Sequence, residues 1–317
     1  MSHRHSAVAA LIAAGLLWGL TVPLSKWALE WLDPAWLTVV RFSLAALPLA
    51  LLTRRRLRRA FAFPVVAWGA GGYGFVIILQ NLGIGHTSVS HAALIVGAAP
   101  VLVALLTAAL GRGTAGVLAW TGFGLALTGV AIVAGGGGGE ATLAGDGLVL
   151  LSVAGSAAFI VAQPRLLAGR DPAAVTALQL GAGALIALPL ALAFEGRPAA
   201  MPGTSTLGAI LALAFAGTLL PFVLFAVGQA RVAPELAGAF VNLEPLVGGA
   251  VGALAFHDAF GELQLVGATA ILTGIALSAA PRRARPGANG GALDDGRGRT
   301  RRPRTARHGG RARIGRA

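Results

Sequence analysis

The sequence predicts an all-α integral membrane protein with ten transmembrane helices in two inverted five-helix repeats. Three observations lead there. The 317 residues are 56% hydrophobic and only 12% charged, about half the charged fraction of a soluble domain. Ten apolar segments, each near the ~20 residues that a bilayer-spanning helix needs, follow one another with short connections. The second half of the chain repeats the first. Shifted by 145 residues, His91–Ile132 lies over Leu236–Leu277, with Pro100 on Pro245, Gly116 on Gly261, Gly122 on Gly267 and Leu127-Thr128-Gly129 on Leu272-Thr273-Gly274.

The first segment is Ala7–Leu29. Its basic start and apolar run also fit a signal peptide, but the run continues to Leu29 and nine more segments follow, so it is read as a spanning helix. Next come Ala35–Leu52, Pro64–Ile84, His91–Leu110 and Gly116–Ala134, closing the first repeat (1–139). The second repeat (140–281) holds Gly145–Leu167, Pro172–Phe194, Leu207–Gln229, Leu236–Phe256 and Leu263–Ala280. ALPLAL at Ala46–Leu51 recurs at Ala187–Leu192. The connections gather Gly, Pro and charge at Glu30–Asp33, Arg54–Arg59, Gly111–Thr114, Gly135–Gly139, Gly169–Asp171 and Glu195–Thr204. Five is odd, so the two copies are expected to cross the membrane in opposite senses, with a binding site near the midplane between them.

Residues 282–317 differ in kind. They carry 12 of the chain's 25 Lys and Arg residues against two acids, Asp294 and Asp295, and almost no large apolar residue. Such a segment cannot bury a core and is expected to be a disordered basic cytoplasmic tail. It suits a topology determinant or contact with anionic lipid. Nucleic acid is not an expected partner despite the net charge of +13, because no aromatics are interleaved for base stacking.

Orientation follows the arginines. Arg54, Arg55, Arg56, Arg58, Arg59, Arg112, Arg165, Arg170 and Arg231 fall at one end together with the tail. The other connections carry Glu30, Asp33, Glu140, Asp146, Glu195, His257, Asp258 and Glu262, with Arg197 their one arginine. The positive-inside rule then places both termini in the cytoplasm of a cell-membrane protein, as an even helix count also requires.

Within the ninth segment lies a single charge, Glu244, ninth of 21 residues and flanked by Asn242 and Pro245. A carboxylate at membrane depth faces protein or a water-filled cavity and is a functional site by default. It reads as a proton or cation site, or as a neutral carboxyl bonded to a neighbouring helix. The matching place in the first repeat is Ala99, so the copies share the helix-bending prolines Pro100 and Pro245 but not the acid. Arg41 lies eight residues past Asp33, about 12 Å into the second segment, where it can pair with a substrate anion or with Glu244. Lys26 is the sole lysine. It either snorkels and pairs with Glu30 or binds an anionic group. The amides of Gln80, Asn81, Gln163, Gln179 and Asn242 either line a polar cavity or bond between helices.

Enzyme chemistry has no constellation to rest on, and no cofactor is expected. The chain has no cysteine. Gly69-Ala-Gly71-Gly-Tyr-Gly74 fits the dinucleotide spacing but lies inside an apolar helix, with no acid about 20 residues on. His86 and His91 flank one connection with no carboxylate beside them in sequence, so no metal is expected. Gly15-x3-Gly19, Gly248-x3-Gly252 and the glycine pairs of the fifth and tenth segments are packing faces, the last two also candidates for homodimer contact.

Trp18-Gly19, Lys26, Arg41-Phe42, the glycine-bearing LALTGVAIV and AILTGIALS helices and the NLEP stretch at Asn242–Pro245 together resemble the EamA family of the drug/metabolite transporter superfamily, over about 1–280. The resemblance implies a cavity lined by helices 1–4 and 6–9, and transport of a small metabolite, often an amino acid or related compound or a drug, by proton-coupled export. It also implies that Trp18, Lys26, Arg41 and Glu244 occupy recurrent family positions. The chain departs from the family in lacking an acid in GRGT after the fourth helix. The alternative function is a non-transporting membrane scaffold or sensor that signals through the basic tail.

Overall fold

The apolar segments fold as helices because nothing else satisfies the backbone in hydrocarbon, and among the described residues no strand occurs. The computed structural model describes residues 2–111, 117–135, 141–198, 202–232, 240, 243–257 and 261–279. Asn242, most of the Gly135–Gly139 run and the whole basic tail lie outside them.

The first segment is α1 (Ser2–Trp18) and α2 (Thr21–Ala28), and the second is α3 (Pro34–Ala60). The third comprises α4 (Phe63–Trp68), a π-turn at Gly69–Phe75 and α5 (Val76–Gly85). The fourth divides into α6 (Val89–Val96) and α7 (Ala99–Ala109), and the fifth is α8 (Val117–Gly135). The second half contains α9 (Leu143–Leu167), α10 (Pro172–Leu190) with a π-turn at Ala191–Glu195, and α11 (Thr204–Ala214) joined through a π-turn at Phe215–Leu219 to α12 (Leu220–Gln229). It closes with α13 (Leu243–Ala255) and α14 (Glu262–Ala279). Among the described residues seven helical runs are long and apolar enough to cross a membrane. Trp120–Val133 and Leu243–Ala255 are shorter apolar helices.

One expected connection is wrong. Arg54–Arg59 belongs to α3, which runs on to Ala60. Arginine is a good helix former, and the next break comes at Ala62, before Pro64 at the start of α4. Helix starts follow their caps. Asp171 accepts from Ala174 N at 3.0 Å, Thr142 from Gly145 N at 3.0 Å and Ser88 from His91 N at 3.2 Å. At α3 the neighbouring Asp33 makes no side-chain cap. Glu195 does it from across the fold, accepting from Ala35 N at 2.8 Å and Trp36 N at 2.9 Å.

Close helix approach rests on small residues. A Cβ on Gly15 would fall 2.3 Å from Phe240 O, and one on Gly19 2.3 Å from Val247 Cβ. A Cβ on Gly129 would meet Gly267 O at 2.6 Å, and one on Gly274 would meet Gly122 O at 2.5 Å. The glycines that suggested a dimer face are therefore taken up within the chain, in an antiparallel crossing of α8 and α14. α3 runs antiparallel to α10, with Glu195 on Ala35 at one end and Arg56 on Asp171 at the other.

Candidate functional site

Three interruptions of regular helix border one cavity, and a fourth holds the cavity's arginine. α1 gives way to α2 at Gly19–Leu20, α6 to α7 at Gly97–Ala98, and the third and eighth segments open into π-turns. Pro100 stands directly after the second break, and Pro245 lies in the first turn of α13. A Cβ on Gly97 would come 2.8 Å from the Pro245 ring, so the two repeat prolines sit near one crossing. A shift of 145 carries Ala70–Gly74 onto Phe215–Leu219, so the two π-turns occupy matching places in the repeats. Such turns leave backbone carbonyls free for other partners.

The cavity measures about 90 Å³, room for several waters. Trp18, Tyr73, Phe159, Phe222 and Phe225 wall it, and Arg41, Glu244, Gln80, Thr21 and Ser156 supply polar groups. The aromatic wall is continuous. Trp18 lies 4.7 Å from Phe225 and 5.2 Å from Phe222, Tyr73 lies 4.6 Å from Phe222 and 4.4 Å from Phe159. Gly72 allows this, since a Cβ there would fall 2.3 Å from the Phe159 ring.

Arg41 is 1% exposed. Its Nε donates to Thr218 Oγ1 and its Nη2 to Gly217 O at 3.3 Å, both in the π-turn before α12. Thr218 passes its own hydroxyl hydrogen to Leu213 O at 2.7 Å. Nη1 is buried and has no hydrogen-bond partner among the described residues. Glu244, 7% exposed, lines the same cavity, and among the described residues no ion pair within 4.0 Å joins it to Arg41. A guanidinium and a carboxyl thus share one largely apolar space, where electrostatic interactions are strong.

The other candidates are placed differently. Trp18 and Gln80 border the cavity. Lys26 Nζ donates to the carbonyls of Thr87 at 3.0 Å and Ile84 at 3.3 Å and is not among the cavity's lining residues. Asn81 Nδ2 ties α5 to α3 through Thr38 Oγ1 at 3.1 Å and Pro34 O at 3.2 Å. Gln163 and Gln179 form a reciprocal amide pair at 2.9 and 3.0 Å between α9 and α10. Of the two readings of the amides, Gln80 follows the cavity and these three the interhelical bond.

A second buried cluster was not foreseen. Asp146, expected in an outer connection, sits in the first turn of α9 at 2% exposure. It accepts from Thr87 Oγ1 and faces His91 Nδ1 at 3.1 Å. Gln264 Nε2 meets His91 Nε2 at 3.4 Å. Among the described residues no group of three or more His, Cys, Asp or Glu side chains is placed to hold a metal ion.

Long apolar helices around a buried charged cavity define a polytopic membrane protein, with discontinuous helices of the kind transporters use at binding sites. The model of the EamA-like transporter family matches the chain twice, over residues 5–135 and 143–280. The chain belongs to that family, a family of membrane transporters in the drug/metabolite transporter superfamily, and its two matches coincide with the two repeats. No curated protein matches it. A solved crystal structure of a protein superimposes with a TM-score of 0.66 at 22% identity, covering 86% of this chain and 96% of that one. That likeness shows the fold alone.

Proposed function

We propose that the protein is a secondary active transporter that exports small metabolites, amino acids or related compounds, in exchange for protons. Its ten helices form two inverted halves that alternate access to the cavity, in a cell membrane with both termini cytoplasmic. Arg41 binds an anionic group of the substrate and Glu244 carries the coupling proton.

The observation that carries this reading is the Arg41 guanidinium. Two of its nitrogens are fixed by the π-turn, Nη1 is buried with no hydrogen-bond partner among the described residues, and the residue lines the cavity that Glu244 shares. A buried donor left unsatisfied is costly, and an anion entering the cavity removes that cost. The acid occurs in one repeat only, so the two halves differ in charge at their common crossing. The reading leaves Lys26 out of substrate binding, because its ammonium is directed to backbone carbonyls.

Metabolite export from cells lacking or overexpressing the protein identifies the transported compound. Proteoliposomes loaded with it, with and without a pH gradient, then test the mechanism. Glu244→Gln is expected to keep substrate exchange and lose gradient-driven flux. Full gradient dependence in that variant removes the coupling role.

A further inference from the structure

At the arginine-bearing end a lateral groove opens between α4, α7 and α9. It has a volume of about 470 Å³, within the range of small-molecule sites. Trp68, Leu106, Leu110 and Val161 form its apolar wall, and Arg165 and Arg170 border it. Arg165 is exposed and makes no hydrogen bond or ion pair among the described residues. Arg170 is half-buried and spends one nitrogen, Nη1, on Leu166 O at 3.1 Å and Ala168 O at 3.5 Å. The carboxylate nearby in sequence, Asp171, is already engaged by Arg56 at 2.8 Å and by Ala174 N at 3.0 Å. The groove thus offers an apolar wall, two guanidinium groups and, among its lining residues, no acid.

We propose that this groove binds an anionic phospholipid, with its acyl chain along Trp68, Leu106 and Val161 and its phosphate on Arg165 and Arg170. Charge complementarity selects the occupant. A zwitterionic lipid brings a cation to the same arginines, and a soluble anion leaves the apolar wall uncovered. Basic pockets between helices at the membrane surface are suited to anionic head groups, and arginine's planar fork matches phosphate. The site is separate from the Arg41–Glu244 cavity and does not depend on the transport reading.

The test titrates the purified full chain in detergent with phosphatidylglycerol, phosphatidylcholine and inorganic phosphate, reading lipid binding by native mass spectrometry and thermal unfolding. Phosphatidylglycerol is expected to bind and stabilise, and the other two are not. Arg165→Gln is expected to weaken its binding about fivefold, and Ala162→Trp, which fills the trough from α9, to abolish it. Arg58→Gln, on an exposed arginine outside the groove, is expected to change nothing. The proposal is overturned if inorganic phosphate acts as well as the lipid, or if Arg165→Gln and Ala162→Trp both bind phosphatidylglycerol as the parent does. It also fails if Arg58→Gln weakens binding as much as Arg165→Gln, which is general surface attraction. A dimer that Ala162→Trp dissociates while lipid binding persists assigns the groove to a second copy instead.

Discussion

Arg41 shows what a buried charge at membrane depth needs. Thr218 and Gly217 hold two of its nitrogens, and that geometry depends on the guanidinium fork. Arg41→Lys keeps the charge but cannot bridge both acceptors. It is expected to lower flux in vesicles at least tenfold while the protein still purifies folded. Thr218→Val strands the buried Nε, for about 1–3 kcal/mol of lost stability, read as a lower melting temperature in detergent. The sequence made Arg41 and Glu244 visible, since any charge inside an apolar segment stands out. It hid Thr218, because the partnership exists only where the π-turn aims that hydroxyl. Asp146 was hidden for a related reason. His91 has no carboxylate beside it in the chain, and its partner is 55 residues away. That pair is buried on both sides, at 3% and 2% side-chain exposure. Asp146→Ala leaves His91 and Thr87 without their acceptor, so it is expected to destabilise by about 1–3 kcal/mol, more than the exposed Arg56–Asp171 pair would lose. A melting temperature equal to the parent's shows that the cluster is not structural.

At the scale of elements, apolar runs placed most segments to within a few residues, because span length is a property of composition; the second runs on to Ala60 instead of ending at Leu52, and the expected start of the ninth lies outside the described residues. Of their interruptions only the α6–α7 break, beside Pro100, carries a signal in the sequence; the break at Gly19–Leu20 and the π-turns do not. Gly69–Gly74 stands out in the sequence as a glycine pattern, but nothing in that pattern specifies the π-turn or the close approach of Gly72 to the Phe159 ring. The α8 and α14 glycines were read correctly as a packing face, while composition alone left open whether the partner was this chain or another copy. Two substitutions in α8 separate packing from propensity. Gly129→Ala puts a methyl 2.6 Å from Gly267 O, where only backbone movement makes room. It is expected to reduce folded yield and melting temperature sharply. At Gly124 an added Cβ meets nothing within 4 Å, and Gly124→Ala is expected to be neutral, or stabilising by up to about 1 kcal/mol through helix propensity. Equal behaviour of the two variants in a detergent melting series contradicts the crossing.

For the whole molecule, the question is how the two copies are related. The α8–α14 contacts are reciprocal: Gly122 faces Gly274 and Gly129 faces Gly267. The repeat shift of 145 turns Gly122 into Gly267 and Gly129 into Gly274, so it exchanges the two contacts. Such exchange is what a two-fold axis produces. Two antiparallel helices are exchanged by an axis perpendicular to them, and for helices that cross a bilayer that axis lies in its plane. This supports inverted halves and, with them, ten spans. The absence of cysteine makes the arrangement directly measurable. Arg55, Arg231, Glu30, Arg197 and His257 are exposed, and each can be replaced singly by cysteine. Ten spans with cytoplasmic termini predict that a membrane-impermeant maleimide reaches Glu30→Cys, Arg197→Cys and His257→Cys in intact cells. Arg55→Cys and Arg231→Cys should react only after permeabilisation. Five spans separate residue 55 from residue 197 in this arrangement, so the two must label from opposite sides. Labelling of Arg55→Cys and Arg197→Cys from the same side makes the number of crossings between them even, and neither the ten-span count nor the inversion survives that result.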